Sequence, residues 1–210
     1  MREKTTAPTP QRMPVERHPL EPFLPPGARI LMLGSFPPPR ARWSMDFYYP
    51  NFQNDMWRIC GLAFHGDKAY FEIPGQKRFD RTRVAAFCAE RGIALYDTAT
   101  AVRRLKENAA DQFLEVVEPT DVGALLRRLP DCRAVVVTGE KAAGTVLAAL
   151  GLQPVSCPGV GGQVGFEFDG RQMRLYRMPS SSRAYPLALA RKAAFYGEMF
   201  RAERILPAAP

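Results

Sequence analysis

Two short apolar runs, each ending at a glycine, do most to limit the folds open to this chain: Ala28-Arg29-Ile30-Leu31-Met32-Leu33-Gly34 and Arg133-Ala134-Val135-Val136-Val137-Thr138-Gly139. Neither alternates polar with apolar residues, so a strand formed there is buried on both faces, the condition of a central strand in a parallel sheet. Ile93-Ala94-Leu95-Tyr96, closing at Asp97, is a third strand of this kind. Phe166-Glu167-Phe168, a tight turn at Asp169-Gly170, and Met173-Arg174-Leu175-Tyr176-Arg177 predict a hairpin. Helical spacing fills the intervals. Met56, Ile59, Cys60 and Ala63 share a face over about 53–62, with Trp57 toward the core. Arg81 to Arg91 reads as a helix capped by Asp80 and ended by Gly92, with Val84, Phe87 and Cys88 on one side. Further helices are expected from Asp121 to Leu129, from Gly139 to about Leu150, and from Pro186 to Arg204. Strands alternating with helices give an α/β fold: a three-layer α/β/α sandwich around a central, mostly parallel four-stranded sheet.

A length of 210 residues suits one such domain. The expected division is a proline- and charge-rich N-terminal arm over 1–27, the α/β/α domain over 28–204, and a tail over 205–210. The N-terminal segment lacks the apolar stretch of a signal peptide, and no run reaches the length of a membrane span, so a soluble, cytoplasmic protein is expected. Cys60, Cys88, Cys132 and Cys157 are widely spaced, without zinc or iron–sulfur spacing, which fits reduced thiols and implies no metal and no cofactor.

In a parallel sheet, ligands bind beyond the carboxyl ends of the strands, where loops converge. The four core strands end at Gly34-Ser35, Asp97-Thr98, Thr138-Gly139 and Met178-Pro179-Ser180, so these segments should share one rim. Behind the first strand runs GSFPPPRARWSMDFYYPNFQNDMW, dense in proline and aromatic rings. Gly34 lets backbone approach a ligand, and the prolines fix the chain direction. The backbone of Gly34, Ser35 and Phe36 can hold a phosphate or the carbonyl edge of a base, or the turn can be a plain stiffened strand exit. No Walker pattern accompanies it. Tyr48, Tyr49 and Phe52 can form a packing cluster or stack on a base, each stack contributing roughly 1–3 kcal/mol. Asn54 can cap the following helix, bind a base edge or orient a water.

The net charge of +8 comes from 29 basic and 21 acidic residues, and 23 of the basic residues are arginine, the side chain whose fork grips phosphate in two places. Arg40, Arg42, Arg103, Arg104 and Lys106 are candidates for contacts to a nucleic-acid backbone. Ser180, Ser181 and Ser182, followed by Arg183, leave a strand and enter a helix, a setting suited to phosphate. The two histidines, His18 in the arm and His65 in a surface turn, offer no Ser-His-Asp arrangement. Asp97 is either a structural hydrogen-bond acceptor or a catalytic group.

Taken together, Gly34-Ser35-Phe36-Pro37, Tyr48-Tyr49 and Asn54-x-x-Trp57 resemble the first motif and following segment of the uracil-DNA glycosylase superfamily, most of all its hypoxanthine-type and mismatch-specific branches. Met178-Pro179-Ser180-Ser181-Ser182 resembles the second motif, which presses on the DNA strand beside an extruded base. The resemblance covers roughly residues 28 to 200. The sequence departs from the pattern in four places: Phe36 stands where most branches carry Asn or Asp, Met178 where histidine is common, Asn51-Phe52 where relatives have His-Pro, and Met56 where they have Phe.

What the resemblance implies is a base-excision repair enzyme that hydrolyses the N-glycosidic bond of a flipped, deaminated base, uracil or hypoxanthine, without metal or covalent intermediate. Extruding the nucleotide costs a few kcal/mol, least at a mismatched pair, and fixed dipoles stabilise the departing base anion. Asn54 then orients water or reads the base. Gly34, Ser35, Phe36, Tyr49, Asn51 and Phe52 form the base slot. Ser180, Ser181, Ser182, Arg183, Tyr185, Arg40 and Arg42 contact DNA, with Arg183 or Tyr185 filling the vacated space. The implied partner is double-stranded DNA with a deaminated or mismatched base, with no protein partner required. The rival expectation is a non-catalytic nucleic-acid-binding module on the same fold.

Overall fold

The computed structural model describes residues 13–105, 113–153 and 157–207. In chain order its strands are β1 Val15–Arg17, β2 Ile30–Gly34, β3 Ile93–Asp97, β4 Ala99–Arg104, β5 Leu114–Pro119, β6 Ala134–Thr138, β7 Gln163–Phe168 and β8 Arg171–Met178. The helices are α1 Met56–His65, α2 Arg81–Arg91, α3 Val122–Arg127, α4 Glu140–Ala149 and α5 Leu189–Ala202.

The main sheet has the order β3-β2-β6-β8-β7. Its first four strands are parallel, and β7 pairs antiparallel with β8. The sheet is therefore five-stranded and mixed, where the sequence predicted four core strands. The hairpin turn at Asp169 and Gly170, both with positive φ, folds β7 back as an antiparallel edge. Every residue of β2, β3 and β6 is buried. Full burial of a strand requires cover on both faces, and paired helices supply it, α1 packing on α5 and α3 on α4.

A second, three-stranded antiparallel sheet, β1-β4-β5, was not predicted from sequence. β5, Leu-Glu-Val-Val-Glu-Pro, is an exposed edge strand whose glutamates break any apolar run. Its partner β4 is flanked on the other side by β1, so residues 15–17 of the N-terminal segment are part of a sheet. Phe23 forms a further bridge to Leu95 in β3. These contacts lay the segment beside β3 and β4.

The helix ends follow local chemistry. Asp80 accepts the Arg83 N–H at 3.0 Å and Gly92 closes α2 with φ 69°. Asp121 accepts the Ala124 N–H at 2.8 Å to open α3. α1 starts at Met56, three residues later than its apolar spacing suggested, and α5 starts at Leu189 rather than Pro186. Among the described residues no helix is long and apolar enough to cross a membrane.

Candidate active site

The ends of β2, β3 and β6 contribute Gly34, Asp97 and Thr138 to one cavity of about 410 Å³, and the segment after β8 contributes Ser180 to Ala184. The volume falls within the range of small-ligand sites, roughly 300–1,000 Å³. The remaining wall is the loop behind β2, including Ser35, Phe36, Arg42, Tyr49, Asn51 and Asn54.

That loop is braced by side-chain donors that reach its carbonyls where the prolines bring no N–H. Arg104 donates to the Pro37 carbonyl at 3.2 Å and grips Glu16 of β1 through two nitrogens at 3.1 and 3.0 Å. Trp43 Nε1 donates to the Pro38 carbonyl at 2.7 Å, and the Ser44 hydroxyl to that of Pro50 at 2.7 Å. Tyr48, 3% exposed, donates to the Glu21 carbonyl at 2.6 Å and receives Trp57 Nε1 on its own carbonyl at 3.0 Å. Tyr48 and Tyr49 both line the cavity, and the hydroxyl of Tyr48 is committed to the Glu21 carbonyl.

Tyr49 holds a φ of 49°, unusual for a bulky residue and a local strain that aims its ring inward. Its hydroxyl sits 3.3 Å from Thr138 Oγ1. Burial, and after it the charge of Asp97, push the phenol above its ordinary value, so the hydroxyl stays protonated and can donate.

Asp97, on the cavity wall, is held from behind by a partner that sequence reasoning missed. His18 Nε2 lies 2.9 Å from Asp97 Oδ2, and the His18 ring is almost wholly enclosed. His18 Nδ1 lies 2.8 Å from the Leu20 carbonyl, and the ring rests among Phe36, Tyr48 and Tyr96. The imidazole fixes one carboxylate oxygen and leaves Oδ1 beside Gly34. A Cβ at Gly34 would fall 2.3 Å from that oxygen, so only glycine fits.

Asn54 Oδ1 accepts the Met56 N–H at 2.9 Å, which ties the side-chain oxygen to the start of α1. Asn51 Oδ1 accepts the Gln53 N–H at 2.9 Å. Both residues still line the cavity. The serine segment is braced internally, with Ser180 Oγ accepting the Ser182 N–H at 3.2 Å and Ser182 Oγ the Ala184 N–H at 3.3 Å.

Several expected site residues lie elsewhere. Phe52 packs on Phe79 with centroids 5.1 Å apart and under the Arg58 guanidinium at 4.4 Å, so its ring is committed to packing outside the cavity. Arg40 pairs with Asp46 at 2.6 Å, covers Trp43, and lines a second, shallower groove shared with Arg42, Lys77 and Arg78. Tyr185 does not line the cavity; its N–H closes a turn onto the Ser182 carbonyl at 3.0 Å. Arg104 is 6% exposed and braces the proline loop, which removes it from the backbone-binding candidates. Arg103 pairs with Glu115 at 3.5 Å. Lys106 lies outside the described residues. The triple serine does not cap α5, because the turn through Tyr185 and Pro186 delays the helix to Leu189. His65 stacks on Tyr70 at 3.5 Å, far from this chemistry in the packing, and burial followed by the Arg91 charge lowers its basicity. Among the described residues no three His, Cys, Asp or Glu side chains are grouped to hold a metal.

Fold and cavity together define an α/β protein with a cavity of small-ligand size at the carboxyl edge of a mixed sheet. No protein-family model and no curated protein matches the chain. The solution NMR structure of a protein from Methanosarcina acetivorans, provisionally described as a uracil DNA glycosylase, is similar with a TM-score of 0.60 and 22% identity, over 90% of this chain and 99% of that one. At that identity the likeness establishes the fold.

Proposed function

We propose that the cavity receives one planar base flipped out of double-stranded DNA, and that the protein hydrolyses its N-glycosidic bond as a base-excision repair glycosylase. The observation that carries this is the convergence of Gly34, Asp97, Thr138 and Ser180–Arg183 on a single volume of about 410 Å³, with Arg42 and Arg183 at its wall. A base enters such a slot edge first. Tyr49 and Phe36 offer ring faces, and the backbone at Ser35-Phe36 faces a base carbonyl.

Asp97 supplies chemical selectivity. An ionised carboxylate only accepts hydrogen bonds. Deamination of cytosine or adenine exchanges a ring-nitrogen lone pair for an N–H beside a carbonyl, so at that ring position Asp97 accepts from uracil or hypoxanthine and meets a lone pair in the parent bases. His18, donating to the opposite oxygen, holds the carboxylate in orientation, while the Ser35-Phe36 backbone, facing the base carbonyl, stabilises the negative charge that develops on the departing base. Bond cleavage places the glycosidic electron pair on the base, and water adds to the sugar carbon, its proton passing to the released base anion. Asn54 orients that water through its amide. Neither metal nor covalent nucleophile is required by these steps.

Support also comes from the shared fold with the archaeal protein. One observation favours the rival, a non-catalytic DNA-binding module: the Asn54 oxygen already serves the α1 start. Incubation with duplexes containing uracil, hypoxanthine, xanthine or a G·T mismatch, followed by alkaline strand scission, decides between them. Strand breaks at uracil or hypoxanthine are expected. Salt-sensitive binding without breaks establishes the module.

A further inference from the structure

One buried carboxylate beside the cavity is left unused by base recognition. Asp55 follows Asn54, is 6% exposed, and meets cations from two elements. Lys192, in the first turn of α5 and 1% exposed, donates from Nζ to Asp55 Oδ2 at 3.2 Å and to the Ser182 carbonyl at 2.7 Å. Arg183 donates through Nε and Nη2 to Asp55 Oδ1, each at 3.3 Å, while about half of its side chain remains open to solvent. Arg58 stands farther off at 4.0 Å and is held by Glu72 at 2.7 Å. Backbone contacts run in parallel: the Asp55 N–H donates to the Ser181 carbonyl at 2.8 Å, Asn54 and Ser182 form an antiparallel bridge, and the Tyr196 hydroxyl donates to the Pro179 carbonyl at 2.9 Å.

Burying a lysine and a carboxylate is unfavourable unless their geometry is well satisfied, and a buried ion pair is weak support for stability as such. What this pair does achieve is attachment. It fastens the Asn54 wall to the serine wall, two segments far apart in the chain. Its two cations differ in one respect: Lys192 is sealed, whereas Arg183 reaches both solvent and the cavity.

We propose that Asp55 is a two-cation anchor, in which Lys192 holds the two walls together permanently and Arg183 leaves Asp55 for a phosphate of the bound strand. The proposal rests on the DNA reading above and adds positioning to it. Lys192 touches neither base nor sugar, so it is a positioning residue. When Arg183 departs, Lys192 still neutralises the buried carboxylate, and the slot keeps its shape as the phosphate arrives.

Two measurements test the two halves. Hydrogen exchange of the free protein follows the Asp55 and Tyr185 amides, which donate to the Ser181 and Ser182 carbonyls. In Lys192→Met these amides exchange at least about tenfold faster while those of β6 do not change. Asp55→Asn/Lys192→Met removes both charges together and shows the same local increase even if the single variant folds poorly. Binding of a fluorescein-labelled duplex carrying an abasic-site analogue, followed against salt, reports Arg183: Arg183→Ala weakens binding and reduces the slope of log K against log salt by about one. Unchanged exchange in both lysine variants overturns the anchor. An unchanged salt slope in Arg183→Ala overturns the exchange of partners. Wild-type protein that binds no duplex overturns the DNA reading and the Arg183 step with it, while amide exchange still judges Lys192.

Discussion

Gly34 and Asp97 face each other across the β2–β3 ladder so closely that a methyl group on Gly34 would lie 2.3 Å from Asp97 Oδ1. Gly34→Ala must therefore displace the carboxylate or spread the strands. The expected cost is about 1–3 kcal/mol in urea unfolding, together with loss of base release. Full release by a stable Gly34→Ala protein would show that the position of Asp97 is immaterial.

His18 orients Asp97 from a segment distant in sequence. His18→Ala leaves the carboxylate free to turn, and kcat/KM for a uracil or hypoxanthine duplex should fall about 10–100-fold, matching loss of a charge-assisted hydrogen bond of about 1.5–3 kcal/mol. Asp97→Ala should fall at least as far. Asp97→Asn replaces a pure acceptor by a group that also donates, so discrimination against cytosine and adenine should narrow. A variant series in which His18→Ala behaves as wild type would confine His18 to packing.

Asn54 has two separable duties. Its oxygen accepts the Met56 N–H from just before the Asp55 N-cap position, so Asn54→Ala should cost about 1 kcal/mol of stability, the usual worth of one hydrogen bond. If its amide also orients the attacking water, release should drop by orders of magnitude more than that loss explains. Asn54→Asp keeps the acceptor and should retain most of the stability. Lowered stability with unchanged release would make Asn54 a brace of the α1 start and nothing else.

These residues show why some of the molecule was legible in the sequence. Unbroken apolar runs at 30–33 and 134–138 marked strands buried on both faces, and their ends marked the rim, so Gly34, Asp97, Thr138 and Ser180 could be placed together before any coordinates. Asp80 and Gly92 announced α2 because caps are local chemistry. Contacts between distant segments leave no such trace. His18 and Asp97 are 79 residues apart, and Asp55 and Lys192 are 137 apart. Nor does a loop declare which of its rings will turn inward: Phe52 was claimed by Phe79 and Arg58, while the positive φ of Tyr49 sent the neighbouring ring to the cavity. β5 was hidden because an edge strand that carries Glu115 and Glu118 around only two valines resembles a surface loop.

The cysteines carry a prediction in pH. Burial pushes the Cys60 thiol up to about 12 and that of Cys132 up to about 11, and raises Cys88 well above its ordinary 9.0. In the unfolded chain all three ionise near that ordinary value. Below pH 9 both states keep their protons, and the full stability is present. Above it the unfolded state sheds protons first, so unfolding is favoured progressively, by up to about 1.4 kcal/mol per pH unit per thiol, until the folded thiols ionise as well. Urea midpoints measured in steps from pH 8 to 11 should therefore fall beyond 9. A thiol-specific chromogenic reagent at pH 8 should modify only the half-buried Cys157 in folded protein and all four thiols in urea. Rapid native labelling of Cys60 or Cys88 would mean that the α1 and α2 faces open readily, and a slot built on the start of α1 could not then be rigid.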